Sequence, residues 1–397
     1  MSKTVKVNPE RDDVVITHEG IIHYDKDNRY PNNYINLIKR SSTATAVLRV
    51  KDRFVYGKGM TESGDFWKRK INRSGMRVDQ LTRRIIASKN RFDGFALHFN
   101  YNALFQKVSV KVVDFEHARI GKPDDEDYSG KILIYPKWGR ERWSARKGEI
   151  YDVYNPDPEI IARQVELAGG WEKYKGQVWY FGQYGEVSYP ENPFASAKND
   201  MLAEILISEG KYSNSSSNFL ASQIFVLPGT YKELSPYPED AERYDRGEQT
   251  FFEKEIMEML ASMQGAGKMG SIAVMENNVK DNEGNPVEFK TMDFKVQNFD
   301  KIHEYTEKSC EDSIIKVSGV PHILLKPTAT GFSQELLDNY YQFYNESTSY
   351  DRQVIEEVME EIFRGWFFEI NPNGNYSIKP LGLTIDREDN TSPANMQ

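Results

Sequence analysis

The strongest constraint on the fold lies between residues 189 and 263, where the sequence directs the chain out of one folded region and back. Two prolines precede a long helical pattern that Ser196 is placed to cap, since a hydroxyl just before a helix accepts hydrogen bonds from its first N–H groups. Apolar residues recurring every three or four positions predict a second helix over 248–263. Between them, 226–248 holds three prolines and little periodicity, so it predicts a loop-like excursion.

A glycine-rich stretch, QGAGKMGS at 264–271, follows the second helix and resembles a phosphate-binding loop at first sight. Such a loop has the pattern G-x-x-x-x-G-K-[ST] and runs from a strand into a helix, because its backbone N–H groups must wrap the phosphates. Here Ser262 replaces the first glycine, Met269 replaces the hydroxyl, and the stretch runs from a helix into a strand at 271–276. It therefore predicts a helix-to-strand connection and no nucleotide site.

Apolar alternation in the first half predicts a strand-rich α+β region around one helix, over 76–89. In the second half, the strand at 271–276 is expected to pair with one at 291–297. A helix over 300–318 ends at a Gly-Val-Pro sequence, and a long helical stretch then runs to about residue 365 with Ile355, Val358 and Ile362 on one face. The strands predicted in the first half are 44–50, 107–114, 131–138 and 176–183.

Composition indicates a soluble chain of two to three domains. It has 397 residues, 39% of them hydrophobic and 28% charged, and no apolar run long enough to span a membrane. The N-terminal residues have no apolar signal-peptide core. The single cysteine, Cys310, excludes intramolecular disulfides and fits a reducing cytoplasm; its spacing with Ile314 and Val317 predicts a packed thiol.

The charge distribution is uneven. A net charge of -9 disfavours tight wrapping of nucleic acid, yet residues 68–91, the basic run, carry nine Lys or Arg against one acid, Asp79. An anion-binding or partner-docking face and a solvated helix face explain this run equally well. A second basic stretch, 137–147, interleaves Trp138 and Trp143 with cations, as single-strand binders do, but is too short to carry that function alone.

No catalytic centre is evident in the sequence. DEDYSG at 125–130 matches the first half of a calcium loop, but Pro136 occupies the position that needs a bidentate Glu, so a charged hairpin turn is favoured. DFEHA at 114–118 lacks a second histidine at metal-binding spacing. Ser333 has no nucleophile-elbow motif around it. We therefore predict no enzyme activity, no metal and no cofactor.

The order of elements resembles the portal proteins of tailed double-stranded-DNA bacteriophages. Three stretches carry the resemblance: 192–229, with its small-residue helix start and Pro-Gly exit; 310–325, with a helix ending in Gly-Val-Pro; and 333–362, a long helix with polar, acidic spacing. His322 stands where the family has a second proline. The resemblance covers about 190–365, and the first half matches only in its strand-rich style.

That resemblance implies a ring, usually of twelve copies, at one capsid vertex, through which the genome is packaged and later ejected. It implies the virion as the location, after assembly in the host bacterial cytoplasm. An acidic channel would repel phosphate and let the duplex slide, which fits the net charge. The implied divisions are a wing (1–190 and 267–325), stem helices (191–220 and 248–266), a clip (221–247), a tunnel loop (326–335) and tunnel or crown helices with a tail (336–397).

The resemblance also implies site residues and partners. The partners are further copies of the chain, the terminase large subunit, the major capsid protein, a head-tail adaptor and double-stranded DNA bound without sequence specificity; ATP hydrolysis belongs to terminase, and no membrane is involved. The implied residues are Lys326, Thr328, Thr330, Gly331, Ser333 and Gln334 in the tunnel loop, Glu253, Glu255 and Glu258 facing the channel, and Tyr231, Lys232, Glu233 and Tyr237 in the clip.

Alternatives stay open for each of these roles. The segment 326–335 is equally well explained as a plain surface loop, and the three glutamates as a solvated face. A head-tail adaptor would share the mechanical role but is usually much shorter. A nucleic-acid-processing enzyme would use the acids 124–127 on a metal together with the basic run.

Overall fold

The computed structural model describes residues 20–141, 143–144, 147–182, 189–216, 223–227, 230–263, 272–276, 284, 299–326 and 334–382. The chain divides into two compact units. The core unit comprises Val14–Lys198 and Ser313–Gln397, and the inserted unit comprises Met1–Asp13 and Asn199–Asp312. The predicted connection at 264–271 and the predicted strand at 291–297 lie outside the described residues.

Helices and strands follow one another along the chain as a mixture of both types. The helices are α1 (Tyr30–Arg40), α2 (Ser42–Tyr56), α3 (Val78–Phe92), α4 (Pro158–Ala168), α5 (Lys198–Ser216), α6 (Tyr231–Leu234), α7 (Asp240–Asp245), α8 (Phe251–Met263), α9 (Phe299–Ser318), α10 (His322–Leu325), α11 (Gln334–Ser347) and α12 (Ser349–Phe363). The strands are β1 (Gly94–Tyr101), β2 (Lys107–Val113), β3 (Ala118–Ile120), β4 (Lys131–Ile134), β5 (Glu149–Val153), β6 (Gln177–Gly182), β7 (Gln223–Leu227) and β8 (Ile272–Glu276).

The strand predicted over 44–50 is wrong, because this segment lies within α2. The Ser41 hydroxyl accepts a hydrogen bond from the backbone N–H of Ala44 at 3.1 Å and so caps the helix. The buried residues Ala44, Val47 and Leu48 recur at helical spacing. Tertiary packing therefore overrides the strand preference of a segment rich in β-branched residues.

The core unit is built on a six-stranded sheet with the order β2-β1-β6-β5-β4-β3. Neighbouring strands are antiparallel except β5 and β6, which run parallel. Strands predicted at 107–114, 131–138 and 176–183 are confirmed as β2, β4 and β6. The architecture is α+β, although the first helices make the N-terminal part less strand-rich than the sequence indicated.

One large apolar core lies between the sheet and two helices of the core unit, α3 and α12. The side chains of Leu81 and Ile85 on α3 are fully buried against strand residues such as Phe95, and the burial of Ile355 and Ile362 confirms the apolar face predicted for the C-terminal helix. Burying one such side chain stabilises a fold by roughly 1.5–3 kcal/mol. The long C-terminal helical stretch is two helices, because it breaks at the residue between α11 and α12.

An ionic cluster around the buried ammonium of Lys89, here called the buried ionic cluster, ties three helices of this unit together. Asp351 on α12 accepts a hydrogen bond from Lys89 on α3 at 2.5 Å and lies 3.4 Å from Lys51 on α2. The Lys89 side chain is 1% exposed. Burial would raise the pKa of Asp351, but the two lysines outweigh that effect and hold the pKa below its usual range.

In the inserted unit, β7 and β8 pair in parallel, with Gln223 opposite Ile272. The segment predicted as a loop-like excursion, 226–248, contains α6 and α7, so it is more ordered than its prolines indicated. The predictions of helices over 248–263 and 300–318 are confirmed by α8 and α9. Within the described part of the chain, no helix combines the length and apolar character needed to cross a membrane.

Candidate functional site

Three of the four residues predicted for partner docking, Tyr231, Lys232 and Glu233, lie in α6. The Thr230 hydroxyl accepts a hydrogen bond from the Glu233 backbone N–H at 3.2 Å, and the Glu233 carboxylate accepts one from the Thr230 N–H at 3.0 Å. This reciprocal capping box fixes the start of the helix. The Lys232 ammonium lies 2.5 Å from the Asp245 carboxylate and so joins α6 to α7. Lys232 and Glu233 therefore hold the local structure.

Asp240 organises the same region, and sequence analysis missed it. Its buried carboxylate accepts hydrogen bonds from the backbone N–H groups of Phe251 and Phe252, at 2.7 and 2.9 Å, and from the Ser235 hydroxyl at 2.7 Å. Because the first N–H groups of a helix have no partner within it, this carboxylate caps α8. Burial would raise the pKa of Asp240, but these hydrogen bonds outweigh it and the pKa lies below its usual range.

The fourth predicted docking residue, Tyr237, belongs to an exposed aromatic surface. Its ring meets that of Phe251 edge to face, with centroids 5.9 Å apart, and the Arg243 guanidinium lies 4.3 Å from the centre of the Phe251 ring. Leu234, three residues before Tyr237, is also exposed. We call Leu234, Tyr237, Arg243 and Phe251 the excursion patch. Exposed aromatic rings and an arginine are the side chains that protein interfaces use most.

The three acids predicted to face a channel all lie on α8. Glu255 and Glu258 are exposed, whereas Glu253 is half-buried. At 3.6 residues per turn, Glu255 and Glu258 share one side of the helix and Glu253 lies on another. The Tyr237 hydroxyl donates to Glu255 at 3.3 Å, and Lys254 lies 3.9 Å from Glu258. Their role in a channel stays a prediction.

Most of the predicted tunnel loop lies outside the described residues. Thr328, Thr330, Gly331 and Ser333 are among the residues not described, and Gln334 begins α11. Lys326 is exposed at the end of α10, where its backbone N–H donates to the carbonyl of His322 at 3.1 Å. The loop assignment stays a prediction.

The basic run does not form one surface. Arg77 donates two hydrogen bonds to the Asp79 carboxylate, at 2.8 and 2.7 Å, and Lys89 belongs to the buried ionic cluster. Lys70 and Arg73 are exposed and line a cavity beside β2. A solvated helix face does not account for these three environments.

The acidic sequences that resemble metal sites have structural roles. The Asp125 carboxylate accepts hydrogen bonds from the backbone N–H groups of Asp127 and Tyr128, at 3.0 and 2.9 Å, and so shapes the turn between β3 and β4, which confirms the predicted hairpin turn. His117 lies 3.6 Å from Asp114 in the other acidic sequence. Among the described residues, no group of three or more His, Cys, Asp or Glu side chains is arranged to hold a metal ion.

Comparisons with known proteins give low similarities. No protein-family model matches the chain, and no curated protein matches it. Among solved structures, it is similar to a chain in the virion of the native gene transfer agent (GTA) particle, with 13% identity, 90% of this chain and 85% of that chain covered, and a TM-score of 0.47.

Two further solved structures are similar at the same level. One is the neck of the empty GTA particle computed with C6 symmetry, with 14% identity, 89% and 85% coverage, and a TM-score of 0.45. The other is the neck of the native GTA particle computed with C12 symmetry, with 13% identity, 90% and 86% coverage, and a TM-score of 0.45. These scores are too low to identify a shared fold, so function is argued from the chain's own residues.

Proposed function

We propose that this chain is the ring-forming portal subunit of a tailed-phage-like particle and forms the channel for genome packaging and ejection. The order of its elements carries the proposal. The chain leaves the core unit at α5, passes through the short helices α6 and α7, returns along α8 and β8, and re-enters the core unit along α9. The Gly-Val-Pro turn and the long helices α11 and α12 follow in the order that the portal resemblance requires.

In this proposal, different segments of the chain form different parts of the channel. Helices α5 and α8 form the stem, and the acids Glu255 and Glu258 repel the phosphates of a duplex that must slide without binding tightly. Lys326 and the hydroxyl-rich residues after it, to Gln334, form the tunnel loop that contacts the DNA backbone. Residues 1–190 and 267–325 serve as the wing, and residues 336–397 form the tunnel or crown part, in which α12 packs against the sheet of the wing.

The excursion patch is the proposed docking surface for the terminase large subunit and the head-tail adaptor. Tyr237 and Phe251 are each 41% exposed, so a partner can bury them, and Arg243 offers a cation beside them. The capping of α8 by Asp240 and the Lys232 ion pair hold the patch in place before a partner binds. A pre-organised aromatic surface loses little conformational entropy on binding.

The test is the mass of the purified protein by light scattering and native mass spectrometry, with negative-stain images of the same sample. Closed rings with a central hole, of about twelve copies, are the expected result. A persistent monomer that cleaves DNA when a divalent metal is added would overturn the proposal in favour of a nucleic-acid enzyme that uses the acids 124–127.

A second experiment addresses the tunnel loop. Deleting 327–333 removes most of the tunnel loop and keeps every residue of α10 and α11. We expect such a variant to form rings of normal mass that do not support DNA packaging. Loss of ring assembly in this variant would count against the loop assignment.

A further inference from the structure

A cavity of about 640 Å³ opens at the edge of the core unit's sheet, beside β2. The segment after α12 forms one wall, because the Lys107 backbone pairs with it: the Lys107 N–H donates to the Gly365 carbonyl at 2.9 Å, and the Phe367 N–H donates to the Lys107 carbonyl at 3.1 Å. Asn72 also lines the cavity, and its side-chain amide donates to the Val110 carbonyl at 3.2 Å. Both parts of the lining are therefore held by hydrogen bonds to the edge strand.

The lining of this cavity combines cations with aromatic rings. Lys70, Arg73 and Lys111 line it and are exposed, and no carboxylate lines it. Among the described residues, none of these three cations forms an ion pair, although the basic run supplies other cations that do. Phe367 and Phe368, which are 46% and 42% exposed, add apolar surface. We call these five residues the basic face; its chemistry suits an acidic protein surface that also carries aromatic rings.

Such a surface exists on the same unit, in a second cavity of about 530 Å³ between β6 and α12. Its lining holds three carboxylates against one guanidinium. Arg364 pairs with Glu360 and Glu361, at 3.3 and 2.7 Å, and the Glu357 carboxylate accepts a hydrogen bond from the Gln353 amide. The cavity therefore keeps an excess of negative charge on its exposed side.

Aromatic rings also line the second cavity. Trp179 and Phe181 come from β6, and Tyr350, 56% exposed, comes from the start of α12. We call Trp179, Phe181, Tyr350, Glu357 and Glu360 the acidic face. The two faces have different residues, similar cavity sizes and opposite charge.

We propose that the basic face of one copy binds the acidic face of the next copy. This inference rests on the proposed ring, since a contact between two different faces of identical subunits repeats head to tail and closes when the rotation allows. Opposite charges orient the encounter, and the aromatic rings supply the apolar area that is buried. A second copy is the occupant with the matching chemistry, because its acidic face has both the carboxylates and the rings.

Charge reversal tests the contact. The basic-face variant is Lys70→Glu/Arg73→Glu/Lys111→Glu, and the acidic-face variant is Glu357→Lys/Glu360→Lys. Each should assemble roughly tenfold or more weakly than wild type in native mass spectrometry, because like charges then face each other. Circular dichroism and melting curves show whether each variant is folded.

The most discriminating experiment mixes the two variants in equal amounts and measures their assembly by native mass spectrometry. In the mixture, the unchanged acidic face of the first variant meets the unchanged basic face of the second, and the two reversed faces match each other. Mixed rings with alternating subunits should therefore form, and a single chain carrying all five substitutions should assemble on its own. The matched control, Lys26→Glu/Lys122→Glu/Lys173→Glu, makes the same charge change at exposed lysines outside both cavities and should assemble as wild type does.

Other outcomes separate this inference from the proposed function. If the wild type forms rings and both variants also assemble normally, the proposed contact between the two faces is wrong, whereas the proposed ring-forming function is retained. If the basic-face variant assembled normally but lost binding to a DNA oligonucleotide, the first cavity would be a nucleic-acid-binding site and the proposed contact between copies would be wrong. A wild-type chain that never assembles, alone or on a capsid, would overturn the proposed ring-forming function.

Discussion

Some apolar side chains on α12 of the core unit and on α5 and α9 of the inserted unit have opposite environments. On α12 of the core unit, Ile355 and Ile362 are fully buried. On α5 and α9 of the inserted unit, Leu206, Tyr212 and Tyr305 are 50%, 77% and 76% exposed. Helices α5 and α9 therefore present apolar side chains that a partner can cover.

The largest expected effect comes from the buried ionic cluster of the core unit. Asp351→Asn leaves the ammonium of Lys89 buried without its carboxylate, and breaking such a buried pair costs about 3–5 kcal/mol. Urea unfolding followed by tryptophan fluorescence measures this loss, because all six tryptophans lie in the core unit. A loss below about 1 kcal/mol would show that water relaxes around the lysine.

The same cluster predicts a pH dependence. The pKa of Asp351 lies below its usual range in the folded protein, so its stabilisation is complete above the unfolded pKa of about 3.9 and is lost as the pH falls through the lower folded value. Wild type should lose unfolding free energy as the pH drops below about 4, and Asp351→Asn should lose less over that interval. Parallel slopes for the two proteins would contradict the assignment.

Truncating one apolar side chain in each unit compares how much buried packing contributes to the stability of the two units. Ile355→Ala leaves a cavity in the core and should lower the unfolding free energy by roughly 2–5 kcal/mol. Leu206→Ala, a comparable truncation on an exposed helix, should change it by no more than about 0.5 kcal/mol. Far-UV circular dichroism in urea follows the helices of both units. Equal losses in the two variants would show that the inserted unit is packed as tightly as the core.

A smaller and more local effect is expected at the start of α8. Asp240→Ala leaves the N–H groups of Phe251 and Phe252 without their acceptor. Amide hydrogen exchange at these residues should become roughly fivefold faster, as for the loss of a helix cap, while exchange in β1 is unchanged. If exchange rises throughout the inserted unit, the carboxylate supports more than the cap.

The smallest effect is expected on α9. Tyr305→Ala removes a side chain that is 76% exposed, so the unfolding free energy of the isolated chain should change by less than about 0.5 kcal/mol. The matched control is Cys310→Ala on the same helix. The removed thiol is only 4% exposed, so this substitution should lower the unfolding free energy by more than Tyr305→Ala does. Equal changes would mean that the tyrosine is packed.

Much of the fold was predictable because its helices and strands carry local patterns. The apolar spacing in α3 and α12 and the alternation in β2 follow from contacts with one neighbouring layer, and these elements were predicted. The segment of α2 was mistaken for a strand because its β-branched residues favour strands until a capping serine and a buried face select the helix. The pairing of β7 with β8 joins distant segments, which no local pattern reveals.

The candidate surfaces were less predictable for the same reason. Tyr237 was singled out in sequence, but its neighbour Phe251 and the carboxylate of Asp240 join it only through the folding of 230–252. The basic face was signalled in part by the density of cations around Lys70. Its aromatic half, at Phe367 and Phe368, comes from the far end of the sequence, so only the fold brings the two together.

The division of the core unit into two sequence segments governs how the chain folds during synthesis. The strand β1 and the helix α3 leave the ribosome early, but the apolar surface they share is covered by Ile355 and Ile362, which are translated after the whole inserted unit. Until then, this surface is exposed to other nascent chains and to chaperones. A ribosome that stalls before α12 would therefore release an aggregation-prone fragment, so the folding of α3 and β1 depends on the translation of a helix about 250 residues further along the chain.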